Sequence, residues 1–143
     1  GPTQDQAIEF NDKVVELDEK AYESFTEYES AIYDGDMDAI EEWSETLKAD
    51  YEAGISFLEE DSKFDGEFKD AAMAMFEAYK TSHEDYMPIM EEYWTSDWDS
   101  ITDELEEEEQ EAYDAMNDLI EDKSDAFIES QEAFAEEWDF DLI

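Results

Sequence analysis

Asp34, Asp36 and Asp38 alternate through Asp34-Gly35-Asp36-Met37-Asp38, and Glu45 follows farther on. These match positions 1, 3, 5 and 12 of an EF-hand-like loop, where hard carboxylate oxygens surround a calcium ion. Two positions depart from that pattern. Ala39 stands where the loop needs Gly for its sharp turn, and Glu41 stands where an apolar residue is usual. The plainer reading is a turn followed by a helix N-cap, with the acids favoured by the helix dipole. What remains of the metal reading is a loose site for weakly bound Ca²⁺ or Mg²⁺.

A second grouping joins aromatic rings to acids. Tyr33, Trp43, Tyr93, Trp94 and Trp98 lie in the same stretches as Asp34, Asp36, Asp38, Asp97, Asp99 and Asp103. In a bundle with short connectors these stretches share one pole. Aromatic faces beside carboxylates suit a cationic ligand: an amine, a basic peptide, or a metal with its water. The competing expectation is that the rings merely plug the end of the core. The opposite pole is expected to hold only Phe10, Phe64 and Trp138.

Other chemistries lack their residues. A di-iron carboxylate bundle needs two Glu-x-x-His pairs. The chain has one histidine, His83, and Lys80 stands three positions before it. Multi-histidine zinc sites fail on the same count. With no Cys there are no disulfides, thiolate ligands or Cys nucleophiles. Neither a Gly-rich phosphate loop nor a Gly-x-Ser-x-Gly elbow occurs. His83 is expected as a structural or surface residue, no cofactor is expected, and the chain is not expected to be an enzyme.

The elements that must position these groups are helices. Ala7, Phe10, Val14, Leu17, Ala21, Phe25, Tyr28 and Ile32 recur every three or four residues, the period of a helix face. Gly35 suits the left-handed position that ends such a helix, and Asp36 the N-cap of the next. A second stripe runs through Met37, Ile40, Trp43, Leu47, Tyr51, Ile55 and Leu58, with Gly54 inside it to allow close backbone approach. A third runs through Phe68, Ala72, Met75, Tyr79, His83, Tyr86, Met90 and Tyr93. Pro88 predicts a kink or an early end there. Thr95 to Ser100 is a connector, and a fourth stripe runs from Leu105 through Ala112, Met116, Phe127 and Phe134 to Trp138. The acidic run Glu106 to Glu109 is read as a solvated face. Phe140, Leu142 and Ile143 are expected to fold back. The spacing thus predicts one all-α domain over 1–143, with helices at roughly 4–33, 37–59, 67–94 and 101–138. It is read as an antiparallel up-down-up-down four-helix bundle.

The surface of that bundle is extreme. The chain carries 48 Asp and Glu against 7 basic residues, a formal net charge of −41, yet 41% of its residues are apolar and 15% aromatic. Such composition argues for a packed core rather than a disordered acidic tail. Every basic residue is Lys, so no guanidinium fork is present to grip phosphate. The field repels polyanions, which excludes nucleic acid and disfavours direct contact with anionic membranes. The protein is expected to be a monomer. Gly1-Pro2 reads as a protease-cleavage scar.

Three segments resemble a family of small helical surface lipoproteins from spirochaetes and Bacteroidetes, of unknown function. They are Glu9-Phe10-Asn11-Asp12-Lys13-Val14-Val15, the stretch from Phe68-Lys69-Asp70-Ala71-Ala72 to Phe76-Glu77-Ala78-Tyr79-Lys80, and Glu132-Ala133-Phe134-Ala135 with Trp138-Asp139-Phe140. These are packing motifs, and no functional residue transfers through them. The departure is in charge, since relatives mix Lys freely with Glu. The resemblance implies an exported bundle at the cell surface or in the periplasm, lipid-anchored in its native form.

The function expected is therefore an exported, surface-anchored bundle whose acidic exterior interacts with cations or basic proteins and peptides. Two alternatives stand beside it. One is a mimic of nucleic-acid polyanion that sequesters a basic protein, and the other is an engineered, supercharged bundle with no native ligand.

Overall fold

A computed structural model describes the whole chain, Gly1–Ile143. It is all-helical, without strands. The helices are α1 (Gln4–Asp34), α2 (Met37–Glu60), α3 (Glu67–Thr81), α4 (Met87–Thr95) and α5 (Asp103–Glu137). A π turn, Ser82–Tyr86, joins α3 to α4, so these form the third of four rods. A 3₁₀ turn, Trp98–Ser100, lies before α5.

Local chemistry sets the boundaries. Thr3 Oγ1 accepts the Gln6 N–H at 3.2 Å while Gln6 Oε1 accepts the Thr3 N–H at 3.0 Å, a reciprocal cap on α1. Gly35 ends α1 at φ 65°, a conformation that costs other residues a Cβ clash. Asp36 then caps α2 through the Ala39 N–H at 3.2 Å. Thr102 caps α5 through the Leu105 N–H at 3.1 Å, so that helix starts at Asp103 rather than 101.

Pro88 does not end the third rod. An α pattern would ask the missing Pro88 N–H to bond the Glu84 carbonyl, and the proline ring would collide with that carbonyl. The chain widens instead, and the Met87 N–H bonds the Ser82 carbonyl five residues back. The buried stripe changes with it. After Tyr79 the buried positions are Ser82, Met87 and Met90, whereas His83 and Tyr86 are only partly buried. The wide turn accommodates one residue more than an α turn, which moves the core position from 86 to 87. The Ser82 hydroxyl is spent on the Ala78 carbonyl at 2.8 Å.

One apolar core unites the rods. Gly54 is where α2 and α3 approach most tightly, for a Cβ there would lie 2.5 Å from the Phe76 ring. One end of the core is far richer in rings than the sequence suggested. Phe57, Phe68 and Phe134 join Phe10, Phe64 and Trp138, with Phe10–Phe64 at 5.0 Å and Phe68–Phe134 at 4.9 Å between centroids. Helical spacing puts Phe10, Phe68 and Phe134 on separate stripes and Phe57 on none, and only packing shows that they meet. Phe140 folds back onto Phe134 at 6.1 Å, but Leu142 and Ile143 remain exposed.

A single buried lysine braces the α2–α3 connection. Lys69 donates to Asp61 Oδ2 at 2.8 Å, to the Asp61 carbonyl at 2.6 Å and to Asp65 Oδ1 at 2.8 Å. Burial works against both charged groups, but the ion pair outweighs it. Asp61 is held below the usual carboxylate range, helped by the N–H groups of Phe64 and Lys63, and Lys69 above the usual amine range.

Candidate functional site

The acids of the calcium-loop pattern are placed by helix ends. Asp34 closes α1, Asp36 caps α2, Asp38 lies in the first turn of α2, and Glu45 follows on its exposed face. Nowhere do three acidic or histidine side chains come together as a metal-ligating group, so these four form no ligand set. The reason is local: the helix starts at Met37, and a helical path spreads carboxylates that a calcium loop would curl inward.

The aromatic pole is assembled only in part. Tyr33, at the end of α1, meets Trp94, at the end of α4, edge to face with centroids 5.1 Å apart. Tyr93 stands edge-on to Trp94 at 5.3 Å. Trp43 packs against the core instead. Trp98 projects from the 3₁₀ turn, 82% exposed, and Asp97, Asp99 and Asp103 are exposed around it.

Three residues of α5 complete a pocket that the sequence did not reveal. Tyr33, Trp94, Glu109, Gln110 and Tyr113 line an open surface pocket of about 380 Å³. Glu109 was read as part of a solvated acidic face, yet it is only 9% exposed, and it accepts the Trp94 indole N–H at 3.2 Å. The signal was present in the spacing. Leu105, Glu109, Ala112 and Met116 step by four, three and four, which puts Glu109 on the core stripe. Tyr113 lies one turn beyond Glu109 on the same face.

Two more polar groups of this pocket bond to carboxylates outside it. The Tyr33 hydroxyl donates to Glu29 Oε2 at 3.3 Å, and the Gln110 amide donates to Asp114 Oδ1 at 3.1 Å. Burial raises the Tyr33 hydroxyl well above its ordinary pKa, and the negative charges of Glu29 and Glu109 reinforce it. Burial also raises Glu29, with the Tyr33 hydrogen bond opposing.

A second polar cluster surrounds the π turn. His83 Nε2 lies 2.9 Å from Ser44 Oγ, and Nδ1 lies 3.2 Å from the Tyr51 hydroxyl. Tyr28 packs beside the imidazole at 5.8 Å and donates to Glu91 Oε2 at 3.0 Å. Burial lowers the His83 pKa, against the pull of Glu84. The Ser44–His83 distance is that of a nucleophile and its base. An acyl-transfer site also needs donors for the oxyanion. Ser44 is mid-helix, where backbone N–H groups are spent, and the adjoining cavity carries Asp38, Glu41, Glu45 and Glu91. A negative charge developing there would be repelled.

Toward the middle of α1, Tyr79 donates to the partly buried Asp18 Oδ1 at 3.0 Å. Burial pushes Asp18 from its ordinary 3.8 up to about 6, with the tyrosine opposing and Glu19 adding to the rise.

No protein family matches the chain, and neither a characterised protein nor a solved structure is significantly similar to it.

Proposed function

We propose that this protein is a non-enzymatic, exported or surface-anchored acidic bundle that interacts with cations or basic partners. The observation that carries the reading is the pole where Tyr33 and Trp94 stand exposed over the buried Glu109 carboxylate, beside the exposed acids Asp34, Asp36 and Asp38. Aromatic faces and negative potential there recruit positive charge by the same sign. No helix of the chain is long and apolar enough to cross a membrane. The surface setting rests on the lipoprotein resemblance, through an anchor outside the bundle.

We further infer that the rods run up-down-up-down, each antiparallel to the next. Two clusters support this. Phe10, Phe57, Phe68 and Phe134 bring the start of α1, the end of α2, the start of α3 and the end of α5 to one pole. Tyr33, Trp94 and Glu109 bring the end of α1, the end of α4 and the early turns of α5 to the other.

The test is a calorimetric titration with octalysine and, separately, with Ca²⁺. Octalysine is expected to bind at about 20 mM NaCl and to weaken steeply by about 500 mM, as diffuse electrostatic attraction is screened. Absence of heat with both titrants at low salt overturns the reading. A co-purifying nucleic-acid-binding protein that DNA displaces would favour the polyanion-mimic alternative instead.

A further inference from the structure

We propose that the Tyr33–Trp94–Tyr113 pocket over Glu109 is a site for a methylated ammonium group, the head of a small organic cation. This rests on the cation-binding reading and narrows it to one ligand chemistry. The lining is three aromatic side chains, one largely buried carboxylate and one amide. Tyr33 and Trp94 are both substantially exposed, so their surfaces are available to a ligand.

The choice among cations follows from what the pocket can still offer. Glu109 Oε1 accepts from Trp94, while the Tyr33 hydroxyl proton is given to Glu29 and a Gln110 amide N–H to Asp114, so the pocket's remaining surface is aromatic with one carboxylate edge. A primary ammonium is a compact, strongly hydrated charge, and a mainly aromatic lining with one carboxylate replaces little of that hydration. A divalent metal wants six or more oxygens, and no group of even three acidic side chains forms here. A quaternary ammonium has no N–H and asks for none. Its positive methyl shell is stabilised by aromatic quadrupoles and by an unneutralised carboxylate beneath them, which are the two things this pocket retains. The surrounding charge excludes the same head group when it carries a phosphate or carboxylate close by. The ligand is therefore a cation without an attached anion.

The experiment is a titration with tetramethylammonium, followed by tryptophan fluorescence and by calorimetry. It is run at about 0.5 M NaCl so that diffuse attraction is screened. Saturable binding is expected to persist at that salt, and glycine betaine, which carries its own carboxylate, is expected not to bind. Tyr33→Leu and Tyr113→Leu are each expected to weaken binding on the order of tenfold. Glu109→Gln is expected to weaken it several-fold while the thermal melt stays cooperative. The proposal is overturned if tetramethylammonium gives no more signal than equal added NaCl, if betaine binds equally well, or if both leucine variants bind like the parent. Octalysine binding at low salt, tested separately, distinguishes the two readings. Octalysine without tetramethylammonium removes only this site, whereas silence from octalysine, Ca²⁺ and tetramethylammonium removes both.

Discussion

Replacing Asp18 by Asn should stabilise the protein at neutral pH. Asp18 sits largely buried against the Tyr79 hydroxyl, and burial lifts its pKa from 3.8 to about 6. Below pH 3.8 the carboxyl is protonated folded or unfolded, and the difference contributes nothing. Between there and pH 6 the unfolded chain ionises while the folded one holds its proton, so stability falls as pH rises. Above pH 6 both are ionised and the cost is constant. A gap of about 2 pH units at ~1.4 kcal/mol each gives a penalty of roughly 3 kcal/mol. Asparagine removes that penalty, which is already net of the Tyr79 bond to the charged form, but it brings amide N–H donors into a mostly buried site, which costs about 1 kcal/mol. The net gain is about 2 kcal/mol at pH 7.5, or roughly 4–8 °C in Tm for a chain of this size. Thermal melts at fixed ionic strength, at pH 3.5 and pH 7.5, read this directly. The gain should appear only at the higher pH. A variant no more stable than the parent at pH 7.5, or equally stabilised at both pH values, would refute the reasoning.

Three further outcomes follow from the same structure. With 48 acids and 7 lysines, Tm should rise between about 10 mM and 1 M NaCl, and more steeply with Mg²⁺, as screening relieves self-repulsion; a flat profile contradicts this. Gly54→Ala should lower Tm even though alanine favours a helix by ~1 kcal/mol, because its Cβ would meet the Phe76 ring at 2.5 Å and overpacking costs about 1–3 kcal/mol. Adding Phe76→Leu should recover part of the loss, and a double variant worse than the sum of the singles would argue against the clash. Lys69→Met should cost about 3 kcal/mol near pH 7 by leaving Asp61 without its cation. Because pairing lowers the Asp61 pKa, that contribution is present above 3.8 and lost as pH falls further, so denaturant midpoints of parent and variant should converge in acid.

Much of the scaffold was legible in the sequence, since it depends on periodicity and on a few residues with strong local preferences. Gly35 and Asp36 mark the α1–α2 turn because one relaxes at positive φ and the other caps. The pocket was half legible. Tyr33 and Trp94 were expected at one pole, but Glu109 was hidden inside a run of like residues, and Tyr113 fell outside the stripe read for that helix. The wide turn after Thr81 was illegible because a five-residue step between core positions looks like an ordinary stripe through His83 and Tyr86. The rise in the pKa of Asp18 and of Glu29 was likewise illegible, because its first cause is burial rather than neighbouring charge.

The π turn also works as an expansion joint. An α-helix rotates about 100° per residue, so one surplus residue in a rigid rod would swing everything downstream by that angle. Here the surplus is absorbed between Ser82 and Met87, and Met87 and Met90 still face the core. Trp94, farther along the same rod, still reaches Glu109. The pocket wall is therefore insulated from a change in chain length upstream. Removing one of the exposed residues Glu84 or Asp85 would shorten the rod without turning it, and would return Pro88 to the collision that the wide turn relieves.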